Sequence, residues 1–192
     1  MSVWVALRGF GIGSLWLLNL SMATGFLLGW ASSRRPRWVP ALAYLHTSFS
    51  VAGWAGGLVH GVLLRYDAYM PFTWKQLLIP FQSPYRPLWT GLGILALYGW
   101  GLVLLSFDGR RRLGAGLFRA LHHATPAIAV MAALHSLGAG LDPHLAAVGW
   151  AARLALAMGA TALAAHLRRS LLARQAADGF VLQRHASAPG GR

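Results

Sequence analysis

Five long stretches of this chain are apolar and almost free of charge, and they limit its fold more than any other feature. They are residues 10–30, 38–64, 88–107, 117–138 and 144–167. A helix that crosses a bilayer needs about 20 mostly apolar residues, whereas a membrane β-barrel would alternate in polarity at every second residue. The sequence therefore predicts an all-α membrane protein, a bundle of about five transmembrane helices. The first stretch is longer than the apolar part of a signal peptide, and we expect it to be retained.

The composition agrees with this prediction and argues against soluble classes of protein. Only 11% of the residues are charged, against about 25% in a typical soluble domain, and so few charges could not cover a soluble surface. The net charge of +13 would suggest nucleic-acid binding in a soluble protein, but little polar surface is available to carry it. Because the chain has no cysteine, disulfides, thiolate nucleophiles and cysteine-bound zinc are excluded.

The distribution of Lys and Arg predicts the orientation of the bundle. Twelve of the 17 lie in 31–37, 108–119 and 168–192, and basic loops favour the cytoplasmic side. We therefore expect a multi-pass protein of the bacterial inner (plasma) membrane, with its N-terminus outside and its C-terminus in the cytoplasm. The 65–87 loop and a turn at 139–143 would then face outward.

This orientation gives a simple domain organisation. Residues 1–167 are expected to form one transmembrane domain, and 168–192 a basic cytoplasmic tail that is partly disordered. Within 68–80 the sequence predicts a short helix that lies on the outer interface.

Five histidines lie inside two of the apolar stretches, where a polar side chain is costly and marks a candidate functional site. They are His46, His60, His122, His123 and His135. His46 and His60 are 14 residues apart, which is about 40° short of four helical turns, so both lie on one face of a helix. Because the second and fourth stretches run in the same direction, His46 and His122 lie near the inner side. His60 and His135 lie near the outer side.

Two histidines at one depth on neighbouring helices suit the two axial positions of a haem iron. Zinc prefers four close ligands, and a proton relay normally includes carboxylates, so both fit less well. A histidine that only hydrogen-bonds a neighbouring helix is the simpler alternative. The 13-residue step from His122 to His135 is about 140° short of four turns. Local unwinding at Pro126 could realign them, and His123 is the competing ligand.

Four stretches between 46 and 142 resemble the ferric reductase-like transmembrane domain. They are His46-x13-His60, the sequence PFQSPYRPLW at 80–89, Leu121-His122-x12-His135 and the sequence AGLD at 139–142. This haem-carrying core is also found in NADPH oxidases and in the membrane subunit of a bacterial methionine sulfoxide reductase system. The resemblance implies two b-type haems stacked across the membrane. It implies that His46 and His122 bind the inner haem, that His60 and His135 bind the outer haem, and that His122 is the ligand rather than His123.

The resemblance also implies a b-type cytochrome that moves electrons across the membrane. Many members of the family carry a flavin- and nicotinamide-binding domain after the last span, but only 25 residues follow residue 167 here, with no glycine-rich dinucleotide fingerprint. We therefore expect a separate flavoprotein or a quinol as electron donor. The acceptor on the outer face would be ferric iron, oxygen, a quinone or a periplasmic protein.

Three arginines are candidates to neutralise the anionic haem propionates. Arg65 and Arg86 lie near the outer ligands, and Arg119 lies three residues before His122. Their alternative role is as anchors in the membrane interface. Two other functions stay open: a haem-free transporter or scaffold component whose histidines form interhelical hydrogen bonds, and a quinol-oxidising cytochrome b anchor of a larger complex.

Overall fold

The structure is a computed structural model that describes residues 3–140 and 146–186. Within these residues all regular structure is helical: α1 (Val3–Arg34), α2 (Val39–Leu63), α3 (Trp74–Leu78), α4 (Pro87–His123), α5 (Thr125–Ala139) and α6 (Ala146–Ala186). Short 3₁₀ turns at Pro36–Trp38 and Leu64–Tyr66 adjoin the two ends of α2. The predicted all-α membrane bundle is therefore confirmed.

Among the described residues, four helical stretches are long and apolar enough to cross a membrane, where the sequence predicts about five spans. The third stretch, Pro87–Ala139, contains two of the predicted spans. Its helical geometry breaks at Gly114, where φ is +76°, a left-handed value that glycine adopts without a Cβ clash. Trp89 near its start contacts His135 near its end, so the stretch folds back on itself and holds both of the spans predicted for this region.

The short helix predicted within 68–80 is present as α3. Thr73 caps it in a capping box: its hydroxyl accepts from the Gln76 amide at 3.4 Å, and the Gln76 side chain accepts from the Thr73 amide at 2.9 Å. These reciprocal bonds satisfy amides that a helix of five residues otherwise leaves without partners. Ahead of the cap, Phe72 is buried and its amide donates to the Leu64 carbonyl, which ties this loop to the end of α2.

Helices α1 and α2 form an antiparallel hairpin held by small polar side chains. The Ser14 hydroxyl donates to the Gly53 carbonyl at 2.7 Å, and the hydroxyls of Ser21 and Ser50 lie 2.6 Å apart. In a bilayer, small residues allow close backbone approach and hydroxyls supply interhelical hydrogen bonds. The backbone of α1 thereby comes within reach of the side chains that project from α2.

The buried core joins α1, α4, α5 and α6. Its members are apolar and nearly inaccessible to solvent: Leu18, Met22, Ala96, Trp100, Ile128, Ala129, Ala133, Ala152 and Ala155. Beside them Asn19 donates from Nδ2 to the Ala151 carbonyl at 3.0 Å, which links α1 to α6. This core fixes α1 and α2 beside the hairpin of α4 and α5.

The chain divides into two compact units, Met1–Gly159 and Ala160–Arg192. The first unit contains every residue predicted for the haem sites. In the second unit the described residues, 160–186, are helical, and they include most of the predicted basic tail. Residues 1–2, 141–145 and 187–192 lie outside the described residues. They include residues 141–143 of the predicted outer turn.

Candidate functional site

The four histidines predicted as ligands lie in two pairs. The ring centroids of His46 and His122 are 6.1 Å apart, and those of His60 and His135 are 6.3 Å apart. The rings of the two pairs are inclined at 68° and 78°. A rise of about 21 Å along α2 separates the pairs, since His60 comes 14 residues after His46. The structure thus brings together the same pairs that the resemblance implied.

The two histidines of α2 are both held by backbone carbonyls of α1. His46 Nδ1 lies 2.8 Å from the Ser21 carbonyl oxygen, and His60 Nδ1 lies 2.9 Å from that of Leu7. A carbonyl oxygen only accepts hydrogen bonds, so in both contacts Nδ1 is the donor. In each neutral ring the other nitrogen, Nε2, then carries a free lone pair.

On the other side of the outer pair, His135 is held in the same way. Its Nδ1 donates to the carbonyl oxygen of Trp89 in α4 at 2.9 Å. A hydrogen bond from the far nitrogen to a carbonyl is the arrangement that orients a metal-binding histidine and fixes its tautomer. Three of the four imidazoles therefore have the protonation and orientation of a ligand that binds through Nε2.

The fourth imidazole, that of His122, has a different environment. It is exposed and stacks on Phe118, with centroids 5.8 Å apart and an angle of 25° between the rings. The helix is interrupted just beyond it at Ala124, whose amide bonds to the Leu121 carbonyl in an i→i+3 turn. Because Pro126 has no N–H, the Thr125 hydroxyl donates to the His122 carbonyl instead, at 2.9 Å.

This interruption bears on the choice between His122 and His123. The sequence suggests local unwinding at Pro126, and the structure has a local tightening two residues earlier. With that turn in place, His122 lies against His46 while His135 lies against His60. His123 is also exposed, on the following position of the helix.

The separation within each pair fits an iron between two imidazoles. Iron–nitrogen bonds of about 2.0 Å and a nitrogen-to-centroid distance of about 1.1 Å place two collinear ring centroids about 6.2 Å apart. The measured separations are 6.1 and 6.3 Å. Among the described residues, no group of three or more His, Asp or Glu side chains converges. Each pair thus offers two imidazoles, the number of axial positions on a haem iron.

A cavity of about 440 Å³ adjoins the outer pair. His60 and His135 line it together with Gly11, Gly57, Gly93 and apolar side chains of α1 and α4. Sites for cofactors are mostly apolar clefts of about 300–1,000 Å³ with a few convergent polar groups. The outer pair therefore borders an apolar cavity within the size range of cofactor sites.

None of the three arginines predicted to neutralise the haem propionates is among the described residues that line the cavity. Arg65 is exposed on the 3₁₀ turn after α2, and Arg86 is exposed and donates to the Gly138 carbonyl. The described lining includes neither of them, but it includes Arg8, whose guanidinium lies 4.2 Å from the centroid of the Trp4 ring. Arg119 is exposed one helical turn before His122 at the inner end.

Sequence reasoning missed the contribution of α1. Leu7 and Ser21, whose carbonyls hold the two histidines, are 14 residues apart, and so are Gly11 and Gly25. This spacing equals that of His46 and His60 in α2. A 14-residue glycine repeat in a neighbouring apolar stretch is therefore the signal that could have found them.

The chain was compared with protein-family models, with curated proteins and with solved structures, and none of the three comparisons gave a match.

Proposed function

We propose that this chain is a b-type cytochrome of the ferric reductase-like kind, which binds two haems and moves electrons between the two faces of a bacterial inner membrane. The observation that carries the proposal is the protonation pattern of the outer pair. His60 and His135 both donate from Nδ1 to a carbonyl, so in each neutral ring Nε2 is an acceptor. Two facing acceptors need a hydrogen-bond donor or an electron-pair acceptor, such as a metal ion, between them.

A direct hydrogen bond between the paired rings fits less well. An N–H···N bond of about 2.9 Å would place collinear ring centroids about 5 Å apart, and the separations are 6.1 and 6.3 Å. In the outer pair such a bond would also require one ring either to give up its Nδ1 proton and its carbonyl partner or to carry a positive charge within an apolar segment. A scaffold in which the paired histidines hydrogen-bond each other is therefore disfavoured. The second candidate, a haem-free transporter or scaffold component whose histidines hydrogen-bond a neighbouring helix, is favoured by the three carbonyl contacts, and the haem spectrum of the purified protein separates it from the cytochrome.

The chain's own residues have defined tasks in this proposal. Bound haem would supply a one-electron carrier at each of two depths. The four histidines would hold the haem irons through Nε2, and the carbonyls of Leu7, Ser21 and Trp89 hold three of the rings. Since a hydrogen bond to a carbonyl raises the basicity of an imidazole, these contacts would favour the ferric form and lower the reduction potential. The apolar side chains that line the cavity would limit the access of water to the outer pair.

The charge distribution supports one direction of transfer. The end of the bundle that holds the pair of His46 and His122 also holds the exposed basic clusters, which are Arg34, Arg35, Arg37, Arg110, Arg111 and Arg112. We place this end in the cytoplasm. Electrons would enter there from a separate flavoprotein, whose acidic surface these clusters would attract, or from a quinol, and leave to an acceptor on the outer face.

The proposal is tested on purified protein and on proteoliposomes. The purified chain should show a Soret band and b-type bands that sharpen on reduction with dithionite. Proteoliposomes that enclose a membrane-impermeant oxidant should reduce it when dithionite is added outside, and His60→Ala should lower this rate at least about tenfold. His123→Ala is the matched control and should retain the rate. A wild-type protein without a Soret band after expression with ample haem would overturn the proposal.

A further inference from the structure

We infer that Gly11, Gly25 and Gly93 are positioning residues, each of which opens one helix carbonyl to the Nδ1–H of a histidine. The inference rests on the proposed function only where it concerns the iron, because the contacts themselves involve nothing but the chain. Sequence reasoning did not single out these three among the 23 glycines, although Gly11 and Gly25 share the 14-residue spacing of His46 and His60.

The same arrangement occurs three times. His60 bonds to the carbonyl of residue 7 and lies against Gly11; His46 bonds to that of residue 21 and lies against Gly25. His135 bonds to that of residue 89 and lies against Gly93. In each case the glycine comes four residues after the carbonyl. We call each carbonyl, together with the glycine four residues after it, a notch. The three imidazoles therefore occupy equivalent notches on two different helices, α1 and α4.

Helix geometry explains why glycine is needed at that position. In an α-helix the Cα–Cβ bond tilts toward the N-terminus, so the side chain of residue i+4 lies over residue i. The carbonyl of residue i already accepts the amide of residue i+4, and its second lone pair is reached from the side. A glycine at i+4 leaves that approach open, and a Cβ there would stand where the imidazole lies.

The space at each notch predicts how strongly an added methyl group would act. A Cβ at Gly93 would lie 2.5 Å from His135 Nδ1, and one at Gly11 would lie 2.9 Å from His60 Nδ1. A Cβ at Gly25 would lie 3.1 Å from the nearest atom of the His46 ring. Alanine should therefore displace the ring most at Gly93, less at Gly11 and least at Gly25.

The fourth histidine has no such notch in the described contacts. In α1 the residue 14 positions after Gly11 is a second glycine, Gly25. In α4 the residue 14 positions after Gly93 is Phe107. Phe107 packs on Phe118, which in turn stacks on His122. Aromatic stacking thus occupies the place that a carbonyl and glycine take beside the other three rings.

Histidine ¹⁵N NMR of the full chain, purified and reduced with dithionite, tests the notches directly. Wild-type His60 should show a protonated, carbonyl-bonded Nδ1, and Gly11→Ala should remove this signature from His60 while leaving that of His46. Gly25→Ala should do the reverse, with a smaller shift. Gly9→Ala and Gly13→Ala are the matched controls in the same helix, because an added Cβ meets nothing within 4 Å at either position.

Haem retention gives the second readout. Transfer of haem to an apoprotein acceptor should be about tenfold faster for one of the two haems in Gly11→Ala, and unchanged in Gly9→Ala. If Gly93→Ala fails to fold, Gly25→Ala, which needs the smallest displacement, still decides the matter. Identical NMR signatures in Gly11→Ala and Gly9→Ala would overturn the inference. A wild-type chain without haem would instead overturn the proposed function, and the NMR comparison would still decide on the notches.

Discussion

Gly53 lies at the middle of α2, seven residues from His46 and seven from His60. A Cβ added there would lie 2.6 Å from Cη2 of Trp100 and 3.0 Å from Cβ of Leu17, so Gly53→Ala must move α1 or α4 away from α2. Overpacking of this kind costs about 1–3 kcal/mol. Alanine also stabilises a helix by up to about 1 kcal/mol relative to glycine. A control variant with the same Gly→Ala change is therefore needed to separate this gain from the overpacking cost.

Gly61→Ala is that control, because it lies in the same helix and its added Cβ meets nothing within 4 Å. The propensity gain is common to both variants, so the free energy of unfolding of Gly53→Ala should be lower than that of Gly61→Ala by about 1–3 kcal/mol. Unfolding by SDS in mixed micelles, followed by circular dichroism, measures the difference. Since Gly53 is equally distant from both pairs, both haem potentials should change together. Equal stability of the two variants, or a change confined to one haem, would refute this packing argument.

Three further substitutions test other contacts. His122→Ala should remove one haem per chain and His123→Ala none, as measured by pyridine haemochrome spectra; equal losses would contradict the assignment. Trp54→Phe removes the hydrogen bond to the Leu97 carbonyl at 3.0 Å and should lower the free energy of unfolding by about 0.5–1.5 kcal/mol without altering the visible spectrum. Thr73→Ala removes the cap of α3 and should speed amide exchange at 74–78 about fivefold, as expected for about 1 kcal/mol; unchanged exchange would exclude a role for the capping box.

The bundle could be predicted because its signals are local. Hydropathy over about 20 residues identifies each span, and helical periodicity places His46 and His60 on one face. The pairs across helices followed from the direction of each span and from the family resemblance. The fold-back at Gly114 fits the same five crossings, although the helices on both sides of it join into a single apolar stretch.

The environment of the histidines could not be predicted from the same signals. Whether a glycine faces a neighbouring ring depends on which helices are adjacent and on their relative rotation. Gly11 contacts His60 across 49 residues of sequence, whereas Gly9 and Gly13 contact nothing at the position of a Cβ. In the same way Arg8 reaches the cavity because α1 packs on α2, a contact that no spacing within α1 reveals.

Two pairs of histidines at two depths require two haems per chain. Haem per chain, measured by pyridine haemochrome spectra against quantitative amino-acid analysis, should be two in the wild-type protein and one in each of His46→Ala and His60→Ala. The double variant should bind none, and the two single variants should retain haems of different reduction potential. A wild-type value of zero, or a single haem that is lost in both variants, would contradict two stacked sites.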